Sequence, residues 1–199
     1  MLARSRGIVM QRVYWPLPIM VSILIFSIVD ISPENHMAQL LVKDAISLVA
    51  DSLIDAVLKA HNDLRALHGV PSLKWSTTLS KEAQAWAEKL SRNGELRHAN
   101  KEERKFNGEN ICRMSNHYDV TDAVRIWYSE IKSYKYDSPG FSFDTGHFTQ
   151  IVWRDTTEVG VGTCKSRDGH LTYIVARYNP AGNVLKKFHE NVLKTNSPS

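Results

Sequence analysis

The chain reads as an α+β domain, with helices packed on a small antiparallel sheet. Three observations predict this. Apolar residues recur at three/four spacing in several stretches, which is the helical period. They alternate in two short stretches, Val159-Val161-Thr163 and Tyr173-Val175-Arg177, joined through Asp168-Gly169 as a hairpin. A third extended stretch, Gly108-Glu109-Asn110-Ile111, lies between helices. With 199 residues, 43% hydrophobic and 23% charged, the chain holds one globular domain and an appendage.

The appendage comes first. Residues 1–12 are basic, and Val13 to Val29 is a seventeen-residue run without charge whose start is stiffened by Pro16 and Pro18. The run is short for a transmembrane helix and long for a bare signal core. Its basic flank predicts that the chain beyond the run leaves the cytosol. Three uses stay open: a signal peptide with a poor cleavage site at Ser27, an uncleaved anchor, or an unused segment with the working protein starting near Met37. Scarce cysteines and the lack of an Asn-X-Ser/Thr sequon keep the third open. Formal charge is +4, but Arg4, Arg6 and Arg12 against Asp30 carry half of it. Without residues 1–31, 22 basic and 20 acidic side chains remain, a net of +2. The remainder carries no Lys/Arg stripe and no nucleic-acid motif, which argues against a nucleic-acid partner. Two cysteines, Cys112 and Cys164, cannot make a disulfide-rich scaffold and read as small buried hydrophobes.

A first helix is expected from Leu41, through Ala45, Leu48, Val49, Leu53, Val57 and Leu64, with an Asp55–Lys59 pair, ended by Gly69-Pro71. His61 and His68 lie in or beside it without a second ligand at helical spacing, so both read as structural. A second helix is expected over Leu79–Leu90, capped by Ser80 and stopped by Asn93-Gly94, with Trp86 in the core. His98 comes next, then a charged loop over 100–105 read as solvated. Asp119 or Thr121 opens a third helix with Val120, Val124, Trp127 and Ile131 on its apolar side. Glu130 sits at the edge of that stripe, either at the rim or turned into a cleft.

Between Tyr134 and Phe143 stand four aromatics, Tyr134, Tyr136, Phe141 and Phe143, around Pro139-Gly140. Such a loop is too apolar to lie wholly in water without cost, so it contacts lipid or covers a core edge. Gly146 to Trp153 then reads as a short helix burying Phe148, Ile151 and Val152, with His147 in its first turn facing a cleft.

Gly146 to Thr156, Tyr178-Asn179-Pro180-Ala181-Gly182-Asn183, and the contexts of His98, Glu109 and Glu130 resemble, in order, the motifs of the CAP superfamily. This is the SCP-like family of cysteine-rich secretory proteins, antigen 5 and pathogenesis-related 1 proteins. Lys187 to Leu193 and the scarcity of cysteine resemble its Golgi-associated branch. Those relatives anchor by N-myristoylation, but Leu2 stands where the acceptor glycine would be. The resemblance implies an α-β-α sandwich over residues 54–193, after a targeting or anchoring segment (1–31) and a helical extension (32–53), and before a frayed tail (194–199). It also implies that His98, Glu109, Glu130 and His147 line one cleft.

Two imidazoles and two carboxylates suit a weak divalent site, zinc first, with His98 and His147 as ligands. They equally suit a hydrogen-bonded network, or acid/base work with Glu109 or Glu130 as the base. No activated nucleophile stands nearby, which makes an enzyme the lesser expectation. The reading is a lipid- or sterol-binding domain, with Tyr134, Tyr136, Phe141 and Phe143 touching the ligand and a metal-capable cleft apart from it. The rivals are a metal-dependent hydrolase and an extracellular protein-interaction module with an idle cleft. Membranes, a homodimer or a protein partner are compatible with it. The expected location is the secretory pathway, outside or anchored, or the cytosolic face of the Golgi if the hydrophobic run is unused.

Overall fold

The computed structural model describes residues 36–196. The chain divides into two compact units, Met1–Ser52 and Leu53–Ser199. The expectations for the basic and hydrophobic N-terminus lie outside the described residues, as do residues 197–199 of the tail.

Helix α1 spans His36–Leu67 and begins five residues before its periodic pattern. Its earlier half departs from expectation. Leu41, Leu48, Val49 and Leu53, which carry the helical period, are exposed. Periodicity marks an apolar face but does not supply the surface that covers it. Toward its end the helix does enter a core, through Val57. The expected Asp55–Lys59 pair is replaced by Lys59–Asp63, 2.6 Å apart and solvated, which contributes little.

The sheet runs β1 (Lys74–Trp75), β3 (Glu158–Lys165), β4 (Leu171–Asn179), β2 (Gly108–Ser115). β3 and β4 form the expected antiparallel hairpin, with Val161 opposite Ala176, and β2 adds antiparallel to β4 with Glu109 opposite Arg177. The parallel edge β1 is the unforeseen strand, since two residues carry no alternation to read. Alternate residues of β4 go to opposite sides. Tyr173 and Val175 join Trp86, Leu90 and Ile111, while Ile174, Ala176 and Tyr178 join Trp127, Phe148 and Ile151. A sheet covered on both faces is the middle layer of an α-β-α sandwich.

Helix α2 (Thr77–Asn93) supplies one layer. Its cap is Ser76, not Ser80: Ser76 is extended at φ −118°, ψ 110° and its side chain accepts from Leu79 N. Ser80 is already inside the helix and donates to Val161 O at 2.8 Å. Gly94, left-handed at φ 70°, ends it as expected. On the other face lie α3 (Val120–Ser129), a 3-10 turn (Glu130–Ser133), α4 (Gly146–Ile151) and α5 (Phe188–Asn191). Asp119 opens α3 with a full capping box involving Asp122. Within the described part of the tail, Asn196 N donates to Leu67 O at 2.7 Å.

Candidate functional site

The two histidines of interest arrive on different elements, each with its own carboxylate. His98 lies in the loop after α2, and its Nδ1 donates to Glu109 Oε1 at 2.7 Å. Glu109 enters from the start of β2 with its side chain fully buried. It also accepts from Ala99 N at 3.0 Å and forms an ion pair with Arg177 Nη2 at 3.1 Å. His147 opens α4, and its Nδ1 donates to Glu130 Oε1 at 2.7 Å. Glu130 ends α3 and turns inward rather than to the rim. Its Oε2 accepts from His147 N at 3.0 Å and Phe148 N at 3.1 Å, so it caps α4 as well as orienting the imidazole.

Each carboxylate thus engages the Nδ1 side of its ring, which leaves Nε2 as the nitrogen not engaged by the carboxylate. The two rings stack, with centroids 6.2 Å apart and planes 28° apart, and Trp127 also stacks on His147, at 5.9 Å. The four residues thus gather as two dyads. Among the described residues, no group of three or more His, Cys, Asp and Glu stands close enough to hold a metal ion.

The histidines open onto a cavity of about 770 Å³. Its lining includes the polar His98, Glu109, His147 and Gln150 and the apolar Phe106, Phe141, Phe143, Val184 and Leu185. The aromatic loop does not act as one patch. Phe141 and Phe143 pair edge to face at 5.4 Å on this cavity. Tyr134 is buried against Phe148 and Tyr136, and with Tyr136 it lines a separate depression near Ile131 and Lys194. Of the four aromatics expected to stand apart from the histidine cleft, Phe141 and Phe143 thus share its cavity while Tyr134 and Tyr136 do not.

Other expected residues take quieter places. His61 Nδ1 donates to Val57 O while its Nε2 accepts from Tyr178 Oη at 2.9 Å. His68 likewise bridges Leu193 O and Tyr128 Oη. Cys112 and Cys164 are free and half-buried, and burial pushes the Cys112 thiol up to about 12.

Three residues at the site escaped the sequence reading. Arg177, read as one of an alternating strand, is the buried partner of Glu109. Gln150 forms part of the cavity lining, and its Oε1 accepts from Gly182 N at 2.9 Å. Asn183, left-handed at φ 59°, donates to Gly146 O at 2.9 Å and meets Thr149 Oγ1 at 2.5 Å. The last two tie Gly146–Thr156 to Tyr178–Asn183, and a Cβ on Gly108 or Gly182 would run into Gln150. The glycines of these motifs were the available signal.

A family model for the cysteine-rich secretory protein family, CAP, matches residues 58–178. The chain belongs to the CAP family. Golgi-associated plant pathogenesis-related protein 1 of Homo sapiens is 47% identical over 141 residues, which are 69% of this chain and 90% of that protein. Protein PRY2 of Saccharomyces cerevisiae is 43% identical over 140 residues, 69% of this chain but 40% of that longer one. Among solved structures BmVAL-1 is similar, with a TM-score of 0.60 and 24% identity over 74% of this chain and 84% of that one, a likeness of fold.

Proposed function

We propose that this CAP domain captures an amphipathic lipid, sterols included, in the cavity between the histidine dyads and the Phe141–Phe143 loop. The observation that carries it is the exposed apolar rim of that cavity: Phe106, Phe141, Phe143 and Leu185 line it, with Phe143 89% and Leu185 74% exposed. Large side chains gathered at one opening gain most when an apolar body covers them. The histidines in the same lining offer a polar handle to a hydroxyl or head group. An acid/base enzyme fits less well. Glu109 is held by Arg177, His98 and a backbone amide, and Glu130 by two amides and His147, so neither carboxylate is free to take a proton from bound water.

The test is capture of a fluorescent sterol by Phe141→Ser/Phe143→Ser. Affinity should fall by roughly tenfold or more as apolar contact is lost, with the urea midpoint unchanged because both rings are exposed. Unchanged capture in the folded variant overturns the reading.

A second, weaker capacity rests on the tautomers. Two Nε2 lone pairs backed by carboxylates suit a loosely held divalent ion, with zinc the natural choice for neutral imidazoles. With no third ligand such a site stays far from a closed structural one, and calorimetry on His98→Ala/His147→Ala against the parent measures it. The location proposed is the secretory pathway, or the cytosolic face of the Golgi if Val13–Val29 is unused. The mass of the mature N-terminus decides between them.

A further inference from the structure

Ahead of the CAP match, the part of α1 within residues 36–52 has large side chains in water. Met37, Leu40, Leu41, Ile46, Leu48 and Val49 are all exposed, Met37 at 69% and Leu48 at 70%. At 3.6 residues per turn, Met37, Leu41, Ala45, Ile46, Leu48 and Val49 fall within a sector of roughly 180°. Ala38, in the same sector, is buried. The opposite half carries Gln39, Lys43, Asp44, Ser47 and Asp51, with Leu40 as its one large apolar residue.

We infer that this stretch of helix lies along a bilayer surface with its apolar half among the acyl chains. Three features select that occupant. The apolar sector is half the circumference, which suits immersion to the helix axis. Pairing with a second copy would ask for a narrow seam flanked by charges that set the register. Here Lys43 is the one charged residue among those flanking the row Val42-Ile46-Val49, beside Ala45, Ala50 and Ser52, and Leu41 and Leu48 lie well outside it. The position in the chain agrees. Only six residues separate the uncharged run Val13–Val29 from His36, so a bilayer that takes up that run keeps the helix start within roughly 25 Å. Charge adds a restriction. Lys43 against Asp44 and Asp51 leaves a net of −1, so anionic head groups add no attraction and apolar contact drives the docking. This inference is independent of what the CAP cavity binds.

The full chain, with Cys112→Ser and Cys164→Ser, is labelled with an environment-sensitive fluorophore at Leu48→Cys or at Ser47→Cys, then mixed with phosphatidylcholine vesicles. The label at 48 should shift to the blue and be quenched by spin-labelled acyl chains, while the label at 47 stays as in water. Adding phosphatidylserine or salt should change the 48 signal by less than about twofold. Equal responses at the two positions, or none at either, would overturn the inference. So would a requirement for anionic lipid. A blue shift at 48 without vesicles that grows with protein concentration would assign the face to a second copy instead.

Discussion

His61 shows what burial does to a single titratable group. With no exposed surface and both nitrogens engaged, its pKa is pushed from 6.5 down to about 4, chiefly by desolvation. The folded state therefore holds it neutral, while the unfolded chain protonates it below 6.5. Its contribution to stability is whole above pH 6.5 and is lost as the pH falls toward 4, by up to about 3 kcal/mol. His68 is lowered as well, again mainly by burial, and acts in the same direction. Urea unfolding from pH 7.5 to 4.5 should show this decline, and His61→Gln should flatten it. An equal slope in the variant would place the pH dependence elsewhere. In the cleft, His98 and His147 are each oriented by a carboxylate.

At the scale of elements, the contact between α2 and β3 depends on missing side chains. A Cβ on Gly160 would run into the backbone of Leu79–Ser80, and one on Gly162 into that of Ala83–Gln84. Helix backbone has no rotamer with which to yield. Gly162→Ala should therefore force the helix off the strand and cost about 1–3 kcal/mol or more. Ala at Gly94 meets open space and bears only the strain of φ 70°. Denaturant midpoints of the two variants compare them, and the claim fails if Gly162→Ala is the milder. The elements were largely legible in advance. α2, α3, α4 and the β3–β4 hairpin carry clear periods, and Gly94 and Asp119 are chemical stop and start signals. β1 was not legible, because its two residues are a strand only by pairing with β3.

Across the Leu53–Ser199 unit, Arg65 is the tie that local reading cannot find. It is fully buried with no carboxylate partner among the described residues, and burial lowers its pKa to about 10, which still leaves it charged at neutral pH. Its guanidinium donates to the carbonyls of Pro71, Ile151, Trp153, Arg154 and Thr156, at 2.7 to 3.4 Å. One side chain thus fastens α1 to the loop that leaves α4, the helix bearing His147. Arg65→Met keeps the aliphatic stem and strands those carbonyls, so it should cost at least about 3 kcal/mol. Calorimetric melting checks this, and a shift of only a degree or two would show that water replaces the guanidinium.

Sequence alone determined the class of fold, most element positions and the four segments that bring His98, Glu109, Glu130 and His147 to one place. Those come from short-range period, capping chemistry and motifs resembling the family's, all written along the chain. Tertiary structure decided which carboxylate meets which imidazole, that Phe141 and Phe143 join the cleft while Tyr134 goes to the core, and that Arg65 and Arg177 are buried. A charged residue in isolation reads as solvated, because its partners are supplied by segments far away in sequence. Glu109 waits 68 residues for Arg177, and Arg65 waits 86 for Ile151. Only closure of the chain brings such groups within hydrogen-bonding distance, and only then is the cost of burying them offset by their partners.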